Sequence, residues 1–248
     1  TGSSRISDQD LKELGLLSGC YQAAIYEKYS HNAAAVSYRF SDLLRLTNED
    51  NHSFDTLTID NNEVILLKGD FAIRRFSDFV ERFEREVKPQ KGSPLDSLFI
   101  TYGHVVYRPE EITESYQEAL FLLKMRFYCD QGQHTFGYHQ LPARRTSLTS
   151  AGIGALQEYQ DRLLGYIQTL NREMVAESLD SLREQIYLSS APIEEIRLFL
   201  IDLYLQVKES IRYHYHTFDI PFPPNSWAVD FINTRYYLYE IITFLSEQ

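Results

Sequence analysis

An α+β sandwich domain on a mixed or antiparallel sheet, followed by an all-α helical domain, is the fold class that this sequence predicts, and three observations predict it. Over residues 5–141, apolar runs of strand length alternate with apolar stripes at helical spacing. Over 154–248 only helical stripes recur. Between them, residues 142–153 are short of large apolar side chains, rich in Arg, Ser and Thr, and carry Gly152, which is the composition of a hinge. A length of 248 residues with 44% hydrophobic content suits two ordinary domains with packed cores.

The first domain opens with Gly19-Cys20-Tyr21-Gln22-Ala23-Ala24-Ile25-Tyr26, an apolar and aromatic run of the right length for a central strand. From Ala33 to Leu46, Val36, Phe40, Leu43 and Leu44 share one face of a helix. Leu57 and Ile59 alternate with Thr58 and Asp60, then Asn61-Asn62 precedes Glu63-Val64-Ile65-Leu66-Leu67. This predicts a β-hairpin, because Asn tolerates the positive φ of tight turns. Phe71, Ile73, Phe76, Phe79, Val80 and Phe83 predict a second amphipathic helix that stops before Pro89, its aromatic stripe packed in the core. The run Leu98–Tyr107 predicts a strand, and Pro109-Glu110-Glu111 opens a helix with acids at its positive end. That helix carries Ile112, Tyr116, Ala119, Leu120, Leu123 and Phe127 on one stripe, and a last strand is expected near His134 to Tyr138. A hairpin set among helical crossovers gives a sheet with helices packed over it.

In the second domain, Leu156, Tyr159, Leu163, Ile167 and Leu170, then Met174, Val175, Leu179, Leu182 and Ile186, predict two helices joined by a turn near Asn171. Pro192, with Glu194 and Glu195 behind it, starts a long helix bearing Ile196, Leu200, Leu203, Tyr204, Val207 and Ile211. Pro221, Pro223 and Pro224 end it, and a last apolar helix is expected from about Thr234 to Leu245.

Charge bounds the partners. Thirty-five acidic against 24 basic residues give a net charge of −11, whereas a nucleic-acid surface needs clustered Lys and Arg to replace phosphate counterions. The densest basic groups, Arg74-Arg75 and Arg144-Arg145, are pairs rather than stripes, so direct nucleic-acid binding is not expected. Cys20 and Cys129 show neither metal-ligand spacing nor a disulfide framework, which fits a reducing compartment. No apolar run approaches the ~20 residues that span a bilayer, and no basic-then-apolar leader begins the chain. A cytoplasmic location is expected, with Thr1 to Ser4 set aside as an expression remnant.

Candidate chemistry is sparse. His214 and His216 are two apart, so on a helix they face different directions, whereas helical zinc pairs use spacings of three or four. They read as helix-end or surface groups. His104 reads as a hydrogen-bonded sheet histidine, since no Ser or Cys motif accompanies it. No nucleophile elbow, phosphate-binding glycine loop or zinc-protease motif is present, and Ser18-Gly19-Cys20 is too short to read as catalytic. A non-enzyme with no catalytic, cofactor-binding or metal-ligating set is expected.

The strand from Phe99 to Tyr107, Pro109-Glu110-Glu111 and Ser115-Tyr116-Gln117-Glu118-Ala119-Leu120 together resemble the Ser-Tyr-x-x-Ala stretch in middle domains of AraC-type, YesN-like two-component response regulators. The likeness extends through Leu123-Lys124-Met125-Arg126-Phe127-Tyr128. Related stretches occur in cyclase-like domains of sugar-diacid and purine regulators. Element order from about Gly19 to Leu141 resembles a degenerate GGDEF-like, nucleotide-cyclase-like fold, and the second half resembles the helical connector leading into an AraC-type DNA-binding domain.

This resemblance implies that the hairpin Thr58 to Leu67 occupies the place of the cyclase signature turn, with Asn61-Asn62 replacing glycines whose missing side chains would admit a nucleotide. It also implies that the first strand offers a single carboxylate, Glu27 beside Lys28, where cyclase chemistry needs acids around magnesium. Asp60 and Glu63 read as turn and solvent-facing residues. The implied role is non-catalytic signal transmission and dimerisation in a bacterial transcription regulator, between a phosphorylatable receiver and a pair of helix-turn-helix motifs. Neither flanking module is seen, so the chain reads as an excised middle region that forms a homodimer. The alternative is a small-molecule sensor for a nucleotide or metabolite, with some of the 18 tyrosines stacking on the ligand.

Overall fold

A computed structural model describes residues 8–17, 19–28, 44, 53–60, 62–85, 98–140, 153–188, 191–216 and 220–247. The chain divides into two compact units, Thr1–Met125 with Gly132–Leu141, and Arg126–Gln131 with Pro142–Gln248. The architecture is α+β.

The first unit begins with a short helix, α1 (Asp8–Glu13), ahead of β1 (Tyr21–Lys28), β2 (Phe54–Ile59), β3 (Asn62–Lys68), β4 (Leu98–Tyr102) and β5 (Thr135–Gly137). These strands form one sheet in the order β2-β3-β1-β4-β5. The first three neighbouring pairs are antiparallel and β4–β5 is parallel, so the sheet is mixed. Helix α2 (Gly69–Arg85) joins β3 to β4, and α3 (Ile112–Lys124) follows β4. Strand β3 lies between β1 and β2, and β1 between β3 and β4, which is an interleaved βαβ arrangement.

Period-two alternation then assigns each strand residue to a face. Ala24, Tyr26, Ile65, Leu67, Leu98, Ile100 and Tyr102 meet Ala72, Phe76, Val80 and Phe83 of α2. On the other face Ile25 and Val64 meet Ala119, with Tyr116, Leu120 and Leu123 of α3 beside them. With helices on both faces, β1 is buried along most of its length, as the unbroken apolar run after Gly19 requires. Burying a side chain of the size of Phe76 contributes roughly 1.5–3 kcal/mol.

Several expectations are corrected in detail. The hairpin forms, with Asn62 paired to Ile59 inside the ladder and a left-handed φ of 50° at Asp60, while Asn61 lies outside the described residues. Asp, with its short polar side chain, accepts that region at low cost. Phe71 does not join the α2 core: it is 62% exposed, because five residues before Phe76 it lies on the opposite side of the helix. The strand expected to run to Tyr107 ends at Tyr102, and Val106 returns only as an isolated bridge to Tyr21. The cause is Gly103, where an added Cβ would lie 2.0 Å from the Ser115 carbonyl oxygen: the chain leaves the sheet as it passes under α3. Helix α3 stops at Lys124, and a 3₁₀ turn (Met125–Tyr128) carries Phe127 off the expected stripe into the core of the second unit. The helix expected over Ala33 to Leu46 lies outside the described residues, apart from Leu44, which is buried in the α2-side core.

The second unit contains α4 (Ile153–Gln168), α5 (Arg172–Leu188), α6 (Ile193–His214), α7 (Asn225–Thr234) and α8 (Leu238–Glu247). One core unites Leu156 and Leu163 of α4, Leu179, Leu182 and Ile186 of α5, Leu200, Leu203 and Tyr204 of α6, Ala228 and Ile232 of α7, and Ile241 and Phe244 of α8. Leu170 is not part of the α4 stripe; it has φ 55° and is 73% exposed in the turn before α5. The last helix expected from about Thr234 to Leu245 forms as α8, opening at Leu238, and α7 ahead of it, ending at Thr234, was not expected. Pro223-Pro224 terminates α6's exit loop and at the same time starts α7, since proline suits the entry to a helix as well as the region beyond one. Among the described residues, no helix is long and apolar enough to cross a membrane.

Candidate functional site

In the first unit, chemistry concentrates where the parallel strands β4 and β5 end, the edge at which open α/β sheets commonly present ligand-binding loops. Gly103 and His104 follow β4, and the 3₁₀ turn Tyr138–Gln140 follows β5. Helix α3 crosses above them and is pinned there by buried hydrogen bonds. The Ala23 amide donates to Ser115 Oγ at 3.0 Å, Ser115 Oγ donates to the His104 carbonyl at 2.8 Å, and Thr101 Oγ1 donates to the Ala119 carbonyl at 2.8 Å. Ser115 and Ala119 are both fully buried. A larger residue at either position would push the helix away from the sheet.

One turn along from Ser115, Glu118 Oε2 accepts the His104 backbone amide at 2.8 Å and lies 2.6 Å from His104 Nδ1. With Nδ1–H donated to the carboxylate, a neutral His104 keeps Nε2 as an acceptor. The pair is partly open, with side chains 36% and 38% exposed. The Tyr138 ring stands 6.2 Å from His104, 6.4 Å from Tyr102 and 5.6 Å from His139, and the Tyr102 hydroxyl lies 3.5 Å from His139 Nδ1. Gly137 is needed against the Tyr102 ring, because a Cβ there would fall 2.2 Å from Cζ. This cluster can accept a proton or a hydrogen bond at His104 Nε2. The aliphatic hydroxyls beside it, Ser115 Oγ and Thr101 Oγ1, are buried and engaged by backbone groups.

The other sequence candidates lie apart. Tyr26 faces Glu63 across the β1–β3 ladder, so Glu63 projects on the α2 side, whereas Glu27, one residue on, projects on the α3 side with Ile25. Asp60 sits in the turn beyond β2. Among the described residues, no group of three His, Cys, Asp or Glu side chains is placed to hold a metal ion. His214 Nδ1 lies 2.8 Å from the Ser210 carbonyl, and His216 Nδ1 lies 3.3 Å from that of Tyr213, both at the end of α6. Arg74 makes an exposed pair with Asp70 at 3.8 Å; Arg144-Arg145 lies outside the described residues. Both cysteines are free and buried, and burial pushes the Cys20 thiol up to about 11 and Cys129 up to about 12.

Two cations of α6 that carried no motif also stand out. Arg197 donates to the Ile232 carbonyl and, at 2.5 Å, to the Arg235 carbonyl, at the C-terminus of α7. Lys208 is 6% exposed and donates to the Pro223 carbonyl at 2.8 Å and to Asn225 Oδ1 at 2.7 Å, where α7 begins. Burial lowers the pKa of both, and the nearby Arg212 lowers that of Lys208 further. Glu118 was legible only as part of the Ser115–Ala119 stretch; Tyr138, His139, Arg197 and Lys208 gave no local signal, since each owes its place to contacts distant in sequence.

No family model, curated protein or solved structure matches the chain.

Proposed function

We propose that this chain is a non-catalytic signal-transmission and dimerisation segment of a bacterial AraC-type transcriptional response regulator, cytoplasmic, lying between the receiver and the DNA-binding domains, with a degenerate GGDEF-like first unit. The observation that carries this reading is the seating of Ser115 and Ala119. Two of the residues on which the family resemblance rests, Ser115 and Ala119, help to lock α3 against β1 and β4, and this supports the reading. Glu27 and Glu63 project from opposite faces of the sheet, which keeps one magnesium ion from engaging both and supports a role without cyclase chemistry.

Signal transmission requires two arrangements of the segment whose balance receiver phosphorylation shifts. Light scattering on the purified chain is expected to return twice its 29.0 kDa mass; a monomer at high concentration counts against self-association. The reading frame flanking Arg5 and Gln248 is expected to encode a receiver upstream and a helix-turn-helix pair downstream, and a frame with neither overturns the assignment.

A second reading, a small-molecule sensor, is favoured by the partly open His104, Glu118 and Tyr138 cluster at the carboxyl ends of β4 and β5. Nucleotides or metabolites that bind there raise the melting temperature of the chain, and H104A abolishes the shift.

A further inference from the structure

Lys208 is a buried ammonium whose hydrogen-bond acceptors among the described residues are both neutral, the Pro223 carbonyl and the Asn225 side-chain amide. The rings of Tyr204 and Phe222, each 5.8 Å from Nζ, temper its charge without cancelling it. Folded proteins generally pair a buried charge with an opposite one. A second cation, Arg212, acts on Lys208 from the same wall, which also carries one carboxylate, Glu209. The position compounds the imbalance: α7 starts at Asn225 with no side-chain cap and no acid in its first turn, so its amide dipoles add positive potential where Lys208 already stands. Among the described residues, two of the three ammonium protons are used.

These groups line an open groove of about 540 Å³, walled by Leu205, Lys208, Glu209, Arg212, Tyr213 and Asn225. The volume lies in the range of small-molecule sites. Leu205 and the exposed Tyr213 ring offer apolar wall, and Glu209 offers an acceptor for hydroxyl or amino donors.

We propose that this groove is a binding site for a small organic anion, its phosphate or carboxylate held between Lys208, Arg212 and the N-terminus of α7, and its hydroxyl or amino groups turned toward Glu209. The site belongs to the helical unit and is independent of the His104 cluster. An anion there supplies the missing counter-charge and ties the start of α7 to α6, so occupancy stabilises that pair of helices.

The single tryptophan, Trp227, lies in the first turn of α7 and serves as reporter. The full chain is titrated with inorganic phosphate, glucose 6-phosphate, citrate and guanosine monophosphate, each against sodium chloride of equal ionic strength, following Trp227 fluorescence and melting temperature. Saturable binding of at least one probe is expected, weakened about tenfold or more by R212Q, which removes an exposed side chain and leaves the core intact. K208M is expected to weaken it as far. E209Q, which removes a negative charge from the wall, is expected to strengthen inorganic phosphate binding and to favour the organic probes less than phosphate. No saturable response beyond that of chloride, or binding of equal strength in R212Q, overturns the proposal.

Discussion

Arg197 and Lys208 hold opposite ends of one helix. Along α6 they are separated by about 16 Å at 1.5 Å per residue, and α7, 10 residues long, spans about 15 Å. Its C-terminal carbonyls therefore meet the guanidinium while its start meets the ammonium. The two ends are not equivalent: a cation at a helix C-terminus is favoured by the macrodipole, and one at the N-terminus is opposed by it. The Arg197 end is thus complete by itself, whereas the Lys208 end lacks an anion.

Replacing Arg197 by Met should cost about 2–3 kcal/mol, because the Ile232 and Arg235 carbonyls lose a charged donor. Hydrogen exchange is expected to accelerate first in the last turn of α7, ahead of α4 and α5. Uniform acceleration across the helical unit would show that Arg197 acts through the general core and not through the end of α7.

The α3–sheet joint should be sensitive to very small changes. Ser115→Ala leaves the Ala23 amide without its acceptor and is expected to cost about 1–3 kcal/mol in urea denaturation. Gly103→Ala should cost more, since its Cβ would meet Ser115 backbone that cannot swing aside. If Gly103→Ala is the milder of the two, the close approach of α3 to β4 is wrong.

Glu118→Gln keeps the shape of the His104 contact and removes its charge. Both side chains are more than a third exposed, so the expected loss is modest, about 0.5–1 kcal/mol. The sharper measurement is the ¹⁵N shift pattern of the His104 ring: Glu118 should hold the proton on Nδ1, and the Gln variant should mix the tautomers. An Nε2-protonated ring in the unaltered chain would contradict the geometry.

Alkaline pH should destabilise the fold through its thiols. Cys20 and Cys129 deprotonate at about 11 and about 12 when folded, against an ordinary value of 9.0. The folded chain therefore keeps these protons where the unfolded chain has lost them. This contribution is fully present below pH 9 and is lost as pH rises through the folded values. For Cys129, whose thiol is pushed up further, the step from pH 9 to 10 removes up to about 1.4 kcal/mol. Urea midpoints should fall less steeply over that step in C129A. Rapid labelling of both thiols in the native chain at pH 8 would refute their burial.

Much of the fold was legible because its signals are local. The apolar run Tyr21 to Tyr26, the alternation in β2 and β3, and the stripe Phe76, Val80 and Phe83 each announce their element through periodicity. The departures come where tertiary contact overrides pattern. Leu98–Tyr107 reads as one strand, yet α3 passes so close at Gly103 that the ladder ends at Tyr102. Phe127 continues a helical stripe on paper, but a 3₁₀ turn delivers it to another core. Helix α7 was hidden behind the prolines that also start it.

By itself, the sequence determined an α+β unit with a hairpin, a helical unit after it, an acidic surface, and the absence of the common catalytic motifs, since composition and periodicity act over a few residues at a time. Only the tertiary structure decided the strand order β2-β3-β1-β4-β5, the pairing of His104 with Glu118, and the placing of Lys208 and Arg197 at the two ends of α7. Each of these joins residues well separated along the chain, and such meetings depend on how helices and strands close on shared cores, which no local pattern encodes.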